Sequence, residues 1–142
     1  EVLDLKWNEL GVMGAEFIAS ALGCKKKNGL GCTLKECHLS CNGIGDTGAQ
    51  VIAASVGKNT SLQVLTLTHN SVGGKACFIF SKVLYQHPTM QKLDISSNPL
   101  GMINFFDHLP LFYSFFRLPF SFRLSLYLLC KFNTKFECIF IS

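Results

Sequence analysis

The sequence predicts an α/β repeat array, in which a short strand, a turn and a helix recur along the chain and stack on one another. Three observations predict this fold class. Asparagines recur at Asn8, Asn42, Asn70 and Asn98, which are 34, 28 and 28 residues apart; leucine-like residues precede each one at fixed positions; and a glycine follows each one three positions later. A fixed period of about 20–50 residues indicates a solenoid, in which each unit buries its apolar face against its neighbours.

The strand of each unit is predicted by apolar residues at alternate positions before the asparagine. Alternation with a period of two is typical of a short strand with one buried face. The residues five positions before each asparagine are Leu3, Cys37, Leu65 and Leu93, and those three positions before are Leu5, Leu39, Leu67 and Ile95.

The helix of each unit is predicted by a second apolar pattern after the asparagine. Residues seven, ten, eleven and fourteen positions after it share one face of a helix. In the first three units these residues are Ala15, Ile18, Ala19 and Leu22, then Ala49, Ile52, Ala53 and Val56, then Cys77, Phe80, Ser81 and Leu84. The glycine of each unit, at Gly11, Gly45, Gly73 and Gly101, is expected to permit a tight turn before the helix.

We interpret the asparagines Asn8, Asn42, Asn70 and Asn98 as structural rather than ligand-binding residues. A carboxamide at the end of a strand can both donate to and accept from the main chain of the turn. Stacked units would place these side chains in a ladder, which satisfies main-chain groups that no strand partner reaches.

Together these positions give the pattern L-x-x-L-x-L-x-x-N-x-L, and the chain resembles leucine-rich repeat proteins of the ribonuclease-inhibitor-like subfamily. The resemblance rests on the 28-residue interval, the helix in each unit and runs such as NGIGDTGAQVIAASVGKNTSLQVLTL, and it covers about residues 1–102. It implies a right-handed horseshoe with short parallel strands on the concave face and helices on the convex face. The family includes inhibitors, innate immune sensor domains and Ran GTPase activators, so the resemblance implies a scaffold rather than one activity.

Length and net charge limit the classes of function that the chain can have. The chain has 142 residues and a formal net charge of +4. Lysines and acidic residues nearly balance within residues 1–102, so no nucleic-acid partner is expected. The run Lys25-Lys26-Lys27 lies in the longer first interval, which we expect to hold a solvated loop. Because the chain opens within a strand and neither cap is recognisable, we expect a fragment of a longer array.

The seven cysteines allow three interpretations, namely free thiols, disulfides or a zinc site. The gaps between the most closely spaced four match no C-x-x-C pairing of a zinc site; these are Cys24, Cys32, Cys37 and Cys41. Cys37 and Cys77 occupy apolar positions of the repeat, as small buried residues do. Free thiols are favoured, which predicts a reducing, cytoplasmic location and no cofactor or metal.

Residues 103–142 break the pattern, because they contain no glycine and most of the 13 phenylalanines. Three interpretations remain open: a membrane-spanning segment over residues 109–129, a capping element, and translation into a pyrimidine-rich intron. A span of this length suffices, but Arg117 and Arg123 would each cost about 2.5–3.5 kcal/mol near the bilayer centre. A cap needs a polar outer face, which this run does not offer. A membrane partner is expected only if residues 109–129 insert.

The predicted function is binding of a protein partner on the concave face of the array, by side chains that flank the buried strand positions. Tryptophan is a preferred binding anchor, so Trp7 is the first candidate; the alternative is that Trp7 packs over a preceding repeat. The candidate binding residues are Asp4, Lys6, Trp7, His38, Ser40, Thr66, Thr68, His69, Asp94 and Ser96.

No enzyme is predicted, because the sequence contains no phosphate-binding loop, H-E-x-x-H or G-x-S-x-G motif. The alternative is a GTPase activator, by resemblance to the Ran-activating members. Residues 1–102 contain no arginine, which counts against a mechanism that uses an arginine finger.

Overall fold

A computed structural model describes residues 1–24, 32–85 and 87–99, together with the backbone of residues 139–140. Strands and helices alternate along the chain, and the predicted α/β repeat fold is confirmed. The elements are β1 (Val2–Asp4), α1 (Gly11–Leu22), β2 (Glu36–His38), α2 (Gly45–Val56), β3 (Val64–Thr66), α3 (Gly74–Leu84), β4 (Lys92–Asp94) and β5 (Ile139–Phe140).

The first four strands form a parallel sheet in the order in which they occur along the chain. Val2 pairs with Glu36, Glu36 with Val64, and Val64 with Lys92. The longer first interval therefore keeps the strand register. The lysine run predicted to lie in a loop falls at residues 25–27, outside the described residues.

The core lies between the sheet and the helices, where the apolar positions of successive units stack. Cys37, Leu65 and Leu93 are buried in three successive strands, and Ala49 and Ile52 are buried in α2. Full burial of a leucine-sized side chain contributes about 1.5–3 kcal/mol. The helices pack on one another in sequence order, α1 on α2 and α2 on α3. This packing holds each strand and its turn at a fixed place.

The third unit departs from the predicted pattern at the start of its helix. Gly11 and Gly45 have φ values of +58° and +68°, as expected for a tight turn, but Gly73 has φ −109° and α3 begins one residue later. The tight-turn prediction is therefore wrong for Gly73. A side chain is excluded there for another reason, because a Cβ atom would lie 2.9 Å from the carboxylate of Asp46.

One predicted core position of α3 is less buried than its equivalents in α1 and α2. Cys77, predicted for the small buried position, is half-buried and packs against the core, whereas Ala15 and Ala49 are fully buried. Gly101 of the fourth unit lies outside the described residues.

The outer edge of β4 carries the two-residue strand β5, which pairs with it in the antiparallel direction. Apart from this backbone pairing, the interpretations offered for residues 103–142, including the segment 109–129, fall on residues that the structure does not describe. Within the described ranges, no helix has the length and apolarity needed to cross a membrane.

Candidate protein-binding face

Four outward-facing side chains form a row across the ends of the parallel strands. Asp4, His38, Thr66 and Asp94 are register partners on β1, β2, β3 and β4. Neighbouring strands lie about 4.8 Å apart, so the row spans roughly 14 Å. The structure therefore brings together four residues that the sequence predicts as binding residues.

The middle of this row is held by side-chain contacts between β2 and β3. His38 Nδ1 lies 3.2 Å from Thr66 Oγ1, and Ser40 Oγ donates to the same oxygen at 3.3 Å. His38 Nε2 also lies 3.4 Å from Glu36 Oε2. Because Ser40 is only 7% exposed, it supports Thr66 and offers little surface of its own.

The two ends of the row are carboxylates, and each is held by the residue two positions later. Lys6 Nζ lies 3.0 Å from Asp4 Oδ2. The hydrogen bonds from Lys6, first from its side chain and then from its main chain, lower the pKa of Asp4. Asp94 Oδ1 accepts from Ser96 Oγ at 2.7 Å and from the Ser96 main chain at 3.1 Å. A carboxyl group therefore stands at each end of the row.

A second row runs beside the first and consists of Lys6, Ser40, Thr68 and Ser96. Main-chain pairing continues here beyond the strand ends. The N–H of Trp7 donates to the Ser40 carbonyl at 3.1 Å, and the N–H of Cys41 donates to the Thr68 carbonyl at 2.9 Å. The two rows are thus parts of one ordered face, which we call the strand face.

The residue before each asparagine has a left-handed backbone, although none of them is glycine. The φ values are +61° at Trp7, +58° at Cys41, +54° at His69 and +56° at Ser97. This conformation costs an L-residue about 1–2 kcal/mol, so the turn that follows each strand requires it. Trp7 is 78% exposed at the N-terminal edge of the strand face, and His69 is exposed two strands away.

The asparagines connect the turns of successive units through their side chains. Asn42 Oδ1 accepts from the Asn8 main chain at 2.9 Å, Asn70 Oδ1 from the Asn42 main chain at 2.9 Å, and Asn98 Oδ1 from the Asn70 main chain at 2.7 Å. Each of these oxygens also accepts from a second main-chain N–H, that of the residue two positions after the donor asparagine. These residues are Leu10, Ile44 and Val72 respectively.

The amide nitrogens of the same side chains bind strand-end carbonyls. Asn70 Nδ2 donates to Leu39 O at 2.7 Å and to Thr68 O at 3.2 Å. Asn42 and Asn98 each make three such bonds. Asn8 differs, since its Nδ2 donates to Lys6 O alone, at 2.9 Å. The side chains therefore fix the turns that carry the strand face.

Two further polar side chains, Asn59 and His87, which sequence reasoning missed, bind the main chain at the opposite end of the units. Asn59 Nδ2 donates to Leu22 O at 2.8 Å, and its Oδ1 accepts main-chain N–H groups of Ser61 and Leu62. His87 occupies the equivalent position 28 residues later. Its Nε2 lies 2.9 Å from Val56 O, and its Nδ1 accepts the N–H groups of Thr89 and Met90. The 28-residue spacing was a usable signal, but the change from Asn to His conceals it.

Asp46 is the other missed residue, and it joins two helices. From the first turn of α2, its Oδ1 accepts the main-chain N–H of Gly73 at 2.8 Å and of Ala76 at 3.0 Å. Gln50 binds the second carboxylate oxygen at 2.9 Å. Asp46 thus serves as the N-terminal cap of α3, because the helix's own cap residue, Gly73, has no side chain that could accept these N–H groups.

The described cysteines neither cluster with other metal-binding side chains nor pair with one another. Among the residues that the structure describes, no three His, Cys, Asp or Glu side chains are grouped to hold a metal ion. Cys24, Cys32, Cys37 and Cys41 form no disulfide. Burial, with a smaller effect from Cys32, raises the pKa of the Cys37 thiol to about 12. Cys37 therefore behaves as a buried apolar residue and not as a nucleophile.

The stacked strand–turn–helix units, with an asparagine at each turn, define an α/β repeat protein with an ordered polar strand face. Comparison with known families gives a match to the leucine-rich repeat at residues 1–19, 32–53, 58–77 and 86–101. These segments cover more than half of the chain, and the chain belongs to the leucine-rich repeat family. Repeats of this family indicate a protein-interaction module.

Proposed function

We propose that residues 1–102 form a non-enzymatic protein-binding module, and that the strand face is the surface that binds the partner. The observation that carries the proposal is the register of the outward-facing rows. Asp4, His38, Thr66 and Asp94 are held in one line by strand pairing and by the asparagine contacts at each turn. A rigid surface of this kind binds with little loss of conformational entropy.

The difference between strand and helix spacing supports a curved array with the strand face inside. Paired strands lie about 4.8 Å apart, whereas packed helices lie about 8–10 Å apart. Stacking of such units bends the array toward the strands. We therefore propose a horseshoe solenoid with a concave strand face, of the ribonuclease-inhibitor-like subtype that the 28-residue interval and the helix in each unit favour.

The chemistry of the strand face fits a polar protein surface. Its ends are carboxylates, its middle offers hydroxyl and imidazole groups, and Trp7 lies exposed at one edge. Exposed tryptophan at the edge of a polar surface is a common binding anchor. The carboxylates of Asp4 and Asp94 lie three strands apart, roughly 14 Å, which is farther than the about 5–9.5 Å of a hydrolytic pair. This separation supports a binding role and not an enzymatic one.

A reducing, cytoplasmic location is part of the same proposal. Cys24, Cys32, Cys37 and Cys41 lie within less than one repeat unit, and their thiols are not joined in disulfides. Such unpaired thiols persist in reducing compartments. The redox state of these cysteines is tested by adding a membrane-permeant maleimide to intact cells and counting the labelled thiols by mass spectrometry. Labelling of all four without a reducing agent is the result expected for a reducing compartment.

The binding surface is tested with two variants that carry the same substitution. Thr66→Arg places a large cation in the middle of the strand face, whereas Thr47→Arg places it on the exposed side of α2. Partners are captured on the wild-type chain and identified by mass spectrometry. Each is then titrated against both variants by isothermal calorimetry.

We expect Thr66→Arg to weaken binding at least about 30-fold, which corresponds to about 2 kcal/mol. Thr47→Arg should leave the affinity within about twofold. Equal affinities for the two variants, with circular dichroism showing both folded, would exclude the strand face as the binding surface.

A further inference from the structure

The turn after β2 contains an asparagine, Asn42, that is followed directly by a glycine, Gly43. In the other units a residue with a side chain follows the asparagine, in the pairs Asn8-Glu9, Asn70-Ser71 and Asn98-Pro99. An asparagine side chain can react with the main-chain nitrogen of the next residue, and glycine places no Cβ atom in the path of this attack. Proline has no N–H that could react. Gly43 therefore makes Asn42 chemically distinct from the other three asparagines.

The main-chain nitrogen of Gly43 is available for this attack. Gly43 is exposed, and its N–H donates to no acceptor among the residues that the structure describes. The N–H groups on either side, those of Asn42 and Ile44, both donate to Asn70 Oδ1. A Cβ atom built on Gly43 would meet nothing within 4 Å, so the space around the residue is open.

The carboxamide of Asn42 is restrained in the folded chain, and this restraint controls when it can react. Asn42 is only 1% exposed. Its Oδ1 accepts from the main-chain N–H groups of Asn8 and Leu10, and its Nδ2 donates to the carbonyls of Leu5, Leu39 and Ser40. Attack on Cγ requires the side chain to leave these contacts and water to reach it. The reaction therefore proceeds from a form in which the turn has opened, and its rate follows the free energy of local opening.

We propose that Asn42 is a site of self-modification, at which the chain deamidates through Gly43 when the turn opens. The Gly43 nitrogen loses its proton to solvent base and attacks Cγ of Asn42. The bond from Cγ to Nδ2 breaks, and ammonia leaves. Water then adds to either carbonyl of the succinimide ring and opens it, which produces aspartate or isoaspartate at position 42. Water and base from the solvent are the only other reactants.

The product cannot resume the contacts that the asparagine made. A carboxylate oxygen takes the place of Nδ2, and it would face the carbonyl oxygens of Leu5, Leu39 and Ser40 without a proton to donate. Burial of a charge that meets only acceptors is strongly unfavourable. The modification therefore keeps the turn open and limits the lifetime of the folded chain.

The test follows the asparagines of the full chain by peptide mass spectrometry. The folded chain is incubated in slightly alkaline buffer, and trypsin then releases Asn42 in residues 36–58 and Asn70 in residues 59–75. A second Asn-Gly pair, Asn28-Gly29, lies outside the described residues and is released separately in residues 28–35. We expect deamidation at Asn42 to exceed that at Asn70 by at least about 10-fold. Unfolding in urea should accelerate the reaction of Asn42 by at least about 10-fold, because opening no longer limits its rate.

Two matched variants, Ser71→Gly and Gly43→Ser, exchange the residues that follow Asn70 and Asn42. Ser71 has φ +57° and Gly43 has φ +63°, so each variant keeps a residue type that the same turn already accommodates. Ser71→Gly should raise deamidation at Asn70 by at least about 10-fold, and Gly43→Ser should lower deamidation at Asn42 by a similar factor. The same rates measured in urea separate the effect on the reaction from any effect on stability.

Asn42→Asp measures the consequence of the modification, and Asn8→Asp is its matched control. Asn8 is exposed, and its Nδ2 donates to Lys6 O alone. Asn42→Asp should lower Tm by at least about 10 °C, whereas Asn8→Asp should lower it by less than about 3 °C.

Three results would each overturn the proposal. The first is an unmodified Asn42 in the folded chain after a period in which the unfolded chain is fully converted. The second is equal deamidation at Asn42 and Asn70, with no effect of Ser71→Gly. The third is an equal Tm for Asn42→Asp and Asn8→Asp.

Discussion

Replacement of Asn70 by alanine measures directly how much an asparagine side chain contributes to the stack. Asn70 is fully buried and binds main-chain groups of two units. Its Oδ1 accepts from Asn42 at 2.9 Å and faces the Ile44 N–H at 3.4 Å, and its Nδ2 donates to Leu39 at 2.7 Å and to Thr68 at 3.2 Å. Alanine removes all four contacts and supplies no replacement.

The magnitude follows from the groups that lose a partner. A buried main-chain group left without a hydrogen bond costs about 1–3 kcal/mol. We count the two short contacts, to Asn42 N and Leu39 O, and discount the two longer ones, because the latter are geometrically weaker. The expected loss is about 3–4 kcal/mol of unfolding free energy. For a domain of about 100 residues, this lowers Tm by roughly 15–25 °C.

Urea denaturation followed by circular dichroism is the assay, and Asn8→Ala is the matched control. Asn8 is exposed and its side chain makes one hydrogen bond, to Lys6 O, so its replacement should cost less than about 1 kcal/mol. The difference between the two variants isolates the contribution of a buried position. A result in which Asn70→Ala and Asn8→Ala differ by less than about 0.5 kcal/mol would refute the structural role of these asparagines.

Two further predictions concern Asp46 and Cys37. Asp46→Ala should destabilise the chain by about 1–2 kcal/mol, because α3 loses its cap at Gly73 and Ala76. Asp46→Asn keeps an acceptor oxygen and should cost less than half as much. Equal losses of unfolding free energy for the two variants in urea denaturation would exclude the cap. The pKa of Cys37 is about 12 in the folded chain and about 8.5 in an unfolded one, so stability should be constant below about pH 8.5 and fall above it by up to about 1.4 kcal/mol per pH unit. Cys37→Val should abolish this loss of stability at alkaline pH. If the decrease of unfolding free energy with pH persists in Cys37→Val, it belongs to another group. In the folded wild type, iodoacetamide should modify the exposed Cys24 before Cys37.

The order of strands and helices could be predicted from the sequence because each buried position is repeated in every unit. One leucine alone does not predict a strand. The same strand position is occupied by an apolar residue in all four units, namely Leu3, Cys37, Leu65 and Leu93. The register across the longer first interval was predictable for the same reason. Repetition averages out the local ambiguity that limits the assignment of a short strand in a sequence without repeats.

Features that occur in one unit alone could not be predicted in this way. Asp46 caps α3 only because that helix begins at Gly74 and Gly73 is extended, a start that the other two described helices, α1 and α2, do not share. The left-handed backbone before each asparagine was also hidden, although it occurs four times. Of Trp7, Cys41, His69 and Ser97, only His69 belongs to the non-glycine residue types that are enriched in this conformation. The stacked turns, and not the residues themselves, impose it.

The direction of the asparagine hydrogen bonds connects the stability of the stack with the proposed binding surface. Asn42, Asn70 and Asn98 each accept through Oδ1 from the asparagine of the preceding unit, so every contact ties a unit to one neighbour. The stability of such a stack is the sum of unit and nearest-neighbour terms. Thr66 lies on the strand between β2 and β4, and the turns of these three strands are held by the same three buried asparagines. The side chains that stabilise the stack therefore also hold Thr66, at which the binding surface is tested, in place.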